Sequence, residues 1–262
     1  MAYEHINPDR FADSAGVPWE GRHFESNQWA NDDGSANPGL LAAIDAFHAA
    51  LESDQAASPE SVVDALRSAR LLIPLIAALG ESGEGAHGQT VDKSADLSIV
   101  SVQTPDGQVG LPVFSSVQTM KVWNKLARPV PIEATRVALA AASEKNTRIV
   151  LDPGSSTEFV VRRPAIEAIA RQANWIHPAN DQEVKAEIAK AIDAESALEN
   201  FAIQNGDPTS RLANAEVLVY LKIASGLPQP ELSAVVERIT QAWASSEIVA
   251  AKVDSLAIKL LN

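Results

Sequence analysis

The chain contains no cysteine. That absence excludes disulfides, thiolate nucleophiles and cysteine-ligated zinc or iron–sulfur centres together, and it suits a reducing compartment such as the cytoplasm. Long apolar runs are also missing. The longest, Leu71–Leu79, is broken by Pro74 and falls well short of the roughly 20 residues a membrane span needs. No basic patch followed by an apolar stretch opens Met1 to Arg10, so no signal peptide is expected. Positive charge is in deficit, 21 Lys and Arg against 34 Asp and Glu, net −13. Phosphate contacts dominate nucleic-acid affinity, so DNA is not expected as a partner and RNA only as a weak one.

Familiar chemical motifs are lacking too. The five histidines, His5, His23, His48, His87 and His177, form no pair at metal-ligand spacing. The glycine-rich loop Gly80–Gly88 carries Glu81 and Glu84, and no Lys-Ser or Lys-Thr follows it, so it reads as a connection and not a phosphate cradle. No Gly-x-Ser-x-Gly elbow occurs. Asp32-Asp33 lies among Asn and Gly and reads as a solvated pair. Neither a catalytic constellation nor a metal or other cofactor is expected.

What is present is enough apolar residue, 46%, for a packed core over 262 residues. Charge is unevenly spread. Residues 1–58 hold ten acids and two bases, whereas residues 121–171 hold nine bases and five acids. Residues 1–36 show no apolar period and read as an acidic extended arm, yet they carry Phe11, Trp19, Phe24 and Trp29. In a chain with only 5% aromatics, rings in a polar leader call for a surface on which to bury.

Helical spacing of Leu40, Leu41, Ile44, Phe47 and Leu51 after Pro38 predicts a first helix. Ser58-Pro59 predicts the start of a second, since Ser caps free N–H groups and Pro lacks one. Leu71–Ile76 reads as a strand at an edge or a bulge, because Pro74 cannot donate to a ladder. Leu97–Gln103 and Val109–Phe114 read as strands about the turn Pro105-Asp106-Gly107. Ser115 or Ser116 is expected to cap a helix through Trp123, and Ile132–Ala142 reads as a further helix. A hairpin is expected around Asp152-Pro153-Gly154, joining Arg148–Leu151 to Thr157–Val161, then a helix over Pro164–Gln172. Asn174–Asn180 reads as a linker, followed by a helix with Glu183 completing a capping box. Strands are expected at Ser196–Gln204, Ala213–Ile223 and Val253–Leu261, with a helix opening at Pro230 that stripes Leu232, Val235, Val236, Ile239 and Trp243. The fold class expected is mixed α/β (α+β): a mixed-sheet domain over 37–173 behind the arm 1–36, then a smaller α/β sandwich over 180–262.

Several segments together resemble the actinobacterial branch of the SseB family. They are Trp19-Glu-Gly-Arg-His-Phe24, Asp32-Asp-Gly-Ser-Ala36, Val63-Asp-Ala-Leu-Arg67 and Val91-Asp-Lys-Ser-Ala95. Leu111-Pro-Val-Phe-Ser-Ser-Val117, Trp123, Arg128-Pro-Val-Pro131, Leu151-Asp-Pro-Gly154 and Phe159-Val-Val-Arg-Arg-Pro164 follow in order. The resemblance covers about residues 17–175. It implies a fold and defines no reaction, substrate or cofactor.

The leading functional expectation is a non-catalytic protein-interaction or scaffold module, in which the aromatic arm meets the basic stretch 121–171. Candidate binding residues are Trp19, Arg22, Phe24, Trp29, Trp123 and Asp152. The resemblance also admits a translation-associated accessory factor. A third possibility is a small-metabolite binder or enzyme with polar residues near Asp152, Lys93 and Ser115 at the sheet ends. No membrane partner is expected.

Overall fold

The computed structural model describes residues 29–53, 55–77, 97–143 and 147–261. The chain divides into two units, residues 1–33 and 34–262. The second is a mixed α/β fold with two lobes, each built on its own apolar core. The loop at 80–95 lies outside the described residues, as does the arm up to residue 28.

Lobe 1 begins with α1 (Pro38–Glu52) and α2 (Pro59–Arg67), capped by Asn37 and Ser58. Strand β1 (Arg70–Ala77) pairs antiparallel with both β2 (Leu97–Ile99) and β5 (Arg128–Glu133), so it is the central strand of three. This corrects the edge-or-bulge expectation for Pro74. Leu72 exchanges both backbone hydrogen bonds with Phe114 at 2.8 and 2.9 Å, so residues of its parity point away from β5. Pro74 shares that parity and stands opposite Pro129, as Leu72 stands opposite Pro131. The missing N–H of each proline therefore faces out of the β1–β5 ladder, and no ladder bond is lost.

The second sheet of lobe 1 has the order β3-β4-β6-β7, from β3 (Val102–Gln103), β4 (Val109–Val113), β6 (Arg148–Leu151) and β7 (Phe159–Arg162). The stretch expected as one strand at Leu97–Gln103 is thus divided between two sheets. The hairpin turn forms as expected, with Gly107 at φ 78°. Helix α3 (Val117–Trp123) takes Ser116 as its cap. Helix α4 (Ala134–Ser143) starts two residues later than expected, because Ile132 and Glu133 complete β5. Helix α5 (Arg163–Ala170) ends the lobe. Helices α1, α2, α4 and α5 bury Leu40, Phe47, Val62, Leu66, Val137 and Ile169 against Leu71, Leu111, Ile149, Leu151 and Phe159. Each large side chain so buried contributes about 1.5–3 kcal/mol. Leu72, on the opposite face of β1, packs instead with Phe114, Met120 and Ala127 beneath α3.

Lobe 2 comprises α6 (Gln182–Asp193), β8 (Leu198–Asn205), β9 (Val217–Ile223), α7 (Gln229–Ala244), α8 (Glu247–Lys252) and β10 (Leu256–Leu261). Strand β9 is central, antiparallel to β8 and parallel to β10. Val217, Val219 and Leu221 meet Val184, Ile188, Val235, Ile239 and Trp243 on one face. Two expectations are corrected here. Asp181 caps α6, which puts Glu183 one residue too early for a capping box, and Glu183 pairs with Lys252 at 2.8 Å instead. The strand expected from Val253 begins at Leu256, because Val253 is the C-cap of α8 and the side chains of Asp254 and Ser255 bond to Arg162.

Strands β6 and β7 are buried on both faces. Ile149, Leu151, Phe159 and Val161 face the core of lobe 1. Val150 and Val160 face Leu212, from the loop 206–216 of lobe 2. Gly206 enters this loop where a Cβ would run into the carbonyl oxygen of Ala215. Gly206→Ala is expected to cost about 1–3 kcal/mol, since a backbone atom cannot rotate aside. A melting temperature equal to that of the parent chain would contradict this close approach.

Candidate functional site

Three expected binding residues, Trp19, Arg22 and Phe24, lie outside the described residues, as does Lys93. Trp29 is half-buried in a turn closed by the Asp32 N–H, which donates to the Trp29 carbonyl at 3.0 Å. Trp123 and Asp152 are brought to opposite ends of α3.

Asp152 is fully buried and adopts φ 46°, a left-handed conformation that Asp tolerates better than most residues. Its Oδ1 accepts from the Ser115 N–H and the Thr119 hydroxyl, both at 2.8 Å. Its Oδ2 accepts from the hydroxyls of Ser115 at 2.6 Å and Thr157 at 2.8 Å. Both oxygens are thereby filled by protein donors. The carboxylate ties the end of β4 and the first turn of α3 to the β6–β7 turn.

At the other end of α3, Trp123 packs on Phe114 with ring centroids 5.3 Å apart. Met120 and Trp123 on α3, and Ala127 in the connection to β5, turn inward. Val122 and Leu126, four residues apart, turn outward and are 80% and 82% exposed. The connection is stapled by Lys121, whose ammonium donates to the carbonyls of Lys125 and Ala127 at 3.0 and 2.9 Å. Lys125 and Arg128 flank the aliphatic pair, both exposed. Beyond them β5 is an edge strand whose outward-facing N–H positions at 129 and 131 are prolines. A partner strand would find few donors there, so the corner favours docking through side chains. Trp123 stands among the residues that carry the family resemblance. Its exposed neighbours were legible only as the residues left over from the buried stripe.

The basic stretch 121–171 does not form one surface. Arg148 and Arg162, cross-strand partners on β6 and β7, are buried in the seam between the lobes. Arg148 pairs with Asp106 and Asp254, each at 2.8 Å. Arg162 pairs with Asp207 at 2.7 Å and Asp254 at 3.1 Å, and donates to Ser255 Oγ and the Asn214 carbonyl. Burial pushes the Asp106 carboxyl up, but hydrogen bonds from Thr104 and Arg148 outweigh it and hold its pKa below the ordinary value. The positively charged residues that remain exposed include Lys125, Arg128, Arg136 and Arg171.

His177, in the segment joining the lobes, is buried rather than part of a loose linker. Burial pulls its pKa down to about 4, with Arg162 adding to the shift and Glu60 and Asp207 opposing it. Its backbone N–H donates to Glu60 at 3.2 Å. No group of three or more His, Asp and Glu side chains among the described residues is placed to hold a metal ion.

The model of the SseB protein N-terminal domain matches residues 42–168, from early α1 to within α5. Over this span the chain is similar to the SseB family. The matched segment contains Trp123, Asp152, the α3–β5 corner and both seam arginines, while lobe 2 and the segments before residue 42 lie beyond the match. No curated protein and no solved structure matches the chain.

Proposed function

We propose that this SseB-domain protein is an interaction module whose α3–β5 corner docks an acidic, apolar segment of another protein. The observation that carries this reading is one surface element. Val122, in the last turn of α3, and Leu126, in the stapled connection after it, stand almost wholly in solvent, with Lys125 and Arg128 close by in the chain. Isolated exposed aliphatics are ordinary, but a rigidly held pair flanked by cations offers burial and charge complementarity together. Two buried aliphatic side chains would supply about 1.5–3 kcal/mol each, and the cations would set the partner's sign. Trp123 forms the floor of the corner, and Asp152 holds the helix that presents it. The prolines of β5 direct the partner to bind as a helix or turn and not as an added strand.

Further readings accompany this one. The run of matching segments supports the actinobacterial branch of the family. A cysteine-free chain suits the cytoplasm, and among the described residues no helix is long and apolar enough to cross a membrane. The separate cores of the lobes support domains over 37–173 and 180–262.

Immobilised full-length chain in native lysate tests the corner directly. A specific partner should be retained by the parent and by the Leu139→Asp control, and lost from Val122→Asp/Leu126→Asp with folding unchanged. Retention should weaken as salt rises, since the charges are exposed. A partner held equally by the double variant would refute the corner.

A further inference from the structure

In the seam, four carboxylates meet two guanidinium groups. Asp106, Asp207 and Asp254 are ion-paired with Arg148 or Arg162. Glu216, at the end of the loop 206–216, is the surplus acid. Its Oε2 accepts the Asp254 N–H at 2.7 Å. Its Oε1 has no hydrogen-bond partner, and the residue is 2% exposed. Glu216 lines a cavity of about 20 Å³ together with Arg162, Trp175, His177, Asp207 and Ser210, room for about one water molecule. Trp175 Nε1 is the second buried polar atom on this cavity without a partner. One acceptor and one donor are therefore left open on two residues that line the same small space.

Every packed element presents charge or a titratable group to this point. Lobe 1 contributes Arg148 from β6 and Arg162 from β7, with Asp106 behind Arg148. Lobe 2 contributes Asp207 from its own loop and Asp254 from the link between α8 and β10. The joining segment contributes His177, backed by Glu60 of α2. His177 is neutral near pH 7 because burial holds it down, so it adds no positive charge. An ionised Glu216 would leave the seam with four negative charges against two positive ones.

We propose that Glu216 is a proton-operated latch between the two lobes. As a neutral acid, it donates from Oε1 to a water that also accepts from Trp175 Nε1, and the seam is closed. When the proton passes to solvent, an unpaired carboxylate faces Asp254 in a buried site, and the contact of loop 206–216 with β7 loosens. That contact includes the Val160 N–H bonded to the Ser210 carbonyl at 2.8 Å, and Leu212 packed on Val150 and Val160.

Burial pushes the Glu216 carboxyl up to about 7. The Asp254 N–H, Arg162 and Arg148 oppose the shift, and the Asp254 charge reinforces it. The unfolded chain releases this proton near the ordinary value of 4.5, whereas the folded chain keeps it to about 7. Stability contributed by the group is therefore full below pH 4.5 and lost as pH rises through that window.

The test compares the full chain with Glu216→Gln between pH 5 and 8.5. The melting temperature of the variant relative to the parent should climb as pH rises to about 7 and then level off. Hydrogen exchange at the Val160 and Leu212 amides, corrected for intrinsic rates, should quicken in the parent between pH 6 and 8 by about tenfold, the factor carried by one pH unit of linkage. It should not quicken in Glu216→Gln. A carbon-13 NMR titration of the parent keeps the proposal falsifiable if the variant folds poorly. A Glu216 carboxyl titrating below pH 5, or exchange indifferent to the substitution, would overturn it.

Discussion

Arg162→Leu is expected to destabilise the folded chain by about 3–5 kcal/mol, the cost typical of stranding a buried charge. The guanidinium serves Asp207, Asp254, Ser255 and the Asn214 carbonyl at once. Burial opposes its charge, but Asp207 and its neighbours hold the pKa above the ordinary arginine value. Leucine would fill part of the volume and leave Asp207 and Asp254 without this partner inside the seam. Arg148 alone would then face the whole carboxylate set. The loss should shrink as pH falls toward 5, because protonating a stranded carboxylate relieves the buried charge. Urea denaturation at two pH values measures both effects. Arg171→Ala is the matched control. Its guanidinium is largely exposed and 3.7 Å from Glu167, and such pairs contribute about 0–1 kcal/mol. If the two substitutions cost the same, the seam is not held by its ion pairs.

Asp152→Ala is expected to cost about 2–4 kcal/mol, whereas Asp152→Asn should cost about 1 kcal/mol. Alanine removes the acceptor of four hydrogen bonds. The hydroxyls of Ser115, Thr119 and Thr157 can rotate to other partners, but the buried Ser115 N–H cannot. Asparagine keeps an oxygen for that N–H and for Thr119. Its amide nitrogen can donate to Ser115 Oγ and Thr157 Oγ1, because hydroxyl groups accept as readily as they donate. Asparagine also tolerates the left-handed backbone at this position. Asp152→Gly would relieve backbone strain and still lose the bonds, so it should resemble alanine more than asparagine. Equal losses for alanine and asparagine in thermal denaturation would show that charge, and not acceptor geometry, is what β4, α3 and the β6–β7 turn require.

Both sites bear on what can be read before folding. Asp152-Pro153-Gly154 was legible as a turn, and Ser58 and Ser116 as helix caps, because each depends on residues within four positions. Trp123 was legible as a candidate only through the family resemblance. The roles of Asp152 and Arg162 were not, since the donors of one come from residues up to 37 positions away and the acids of the other lie up to 92 away. Arg148 and Arg162 read as part of a basic stretch because a sequence displays charge without its partner. Pro74 read as an edge residue because its register with Pro129 depends on a strand more than fifty residues later.

From composition and local pattern alone followed the absence of cysteine chemistry, the acidic balance, the helices other than α8, the Ser58 and Ser116 caps, the hairpin turns and the apolar stripe of α7. These rest on backbone geometry and on side chains within a turn or two. Only the tertiary structure decided which face of β6–β7 lies against lobe 2, which cations remain in solvent and which carboxylate is left over beside a cavity. Desolvation and ion pairing act through space, and their sign at any residue depends on what the fold places beside it.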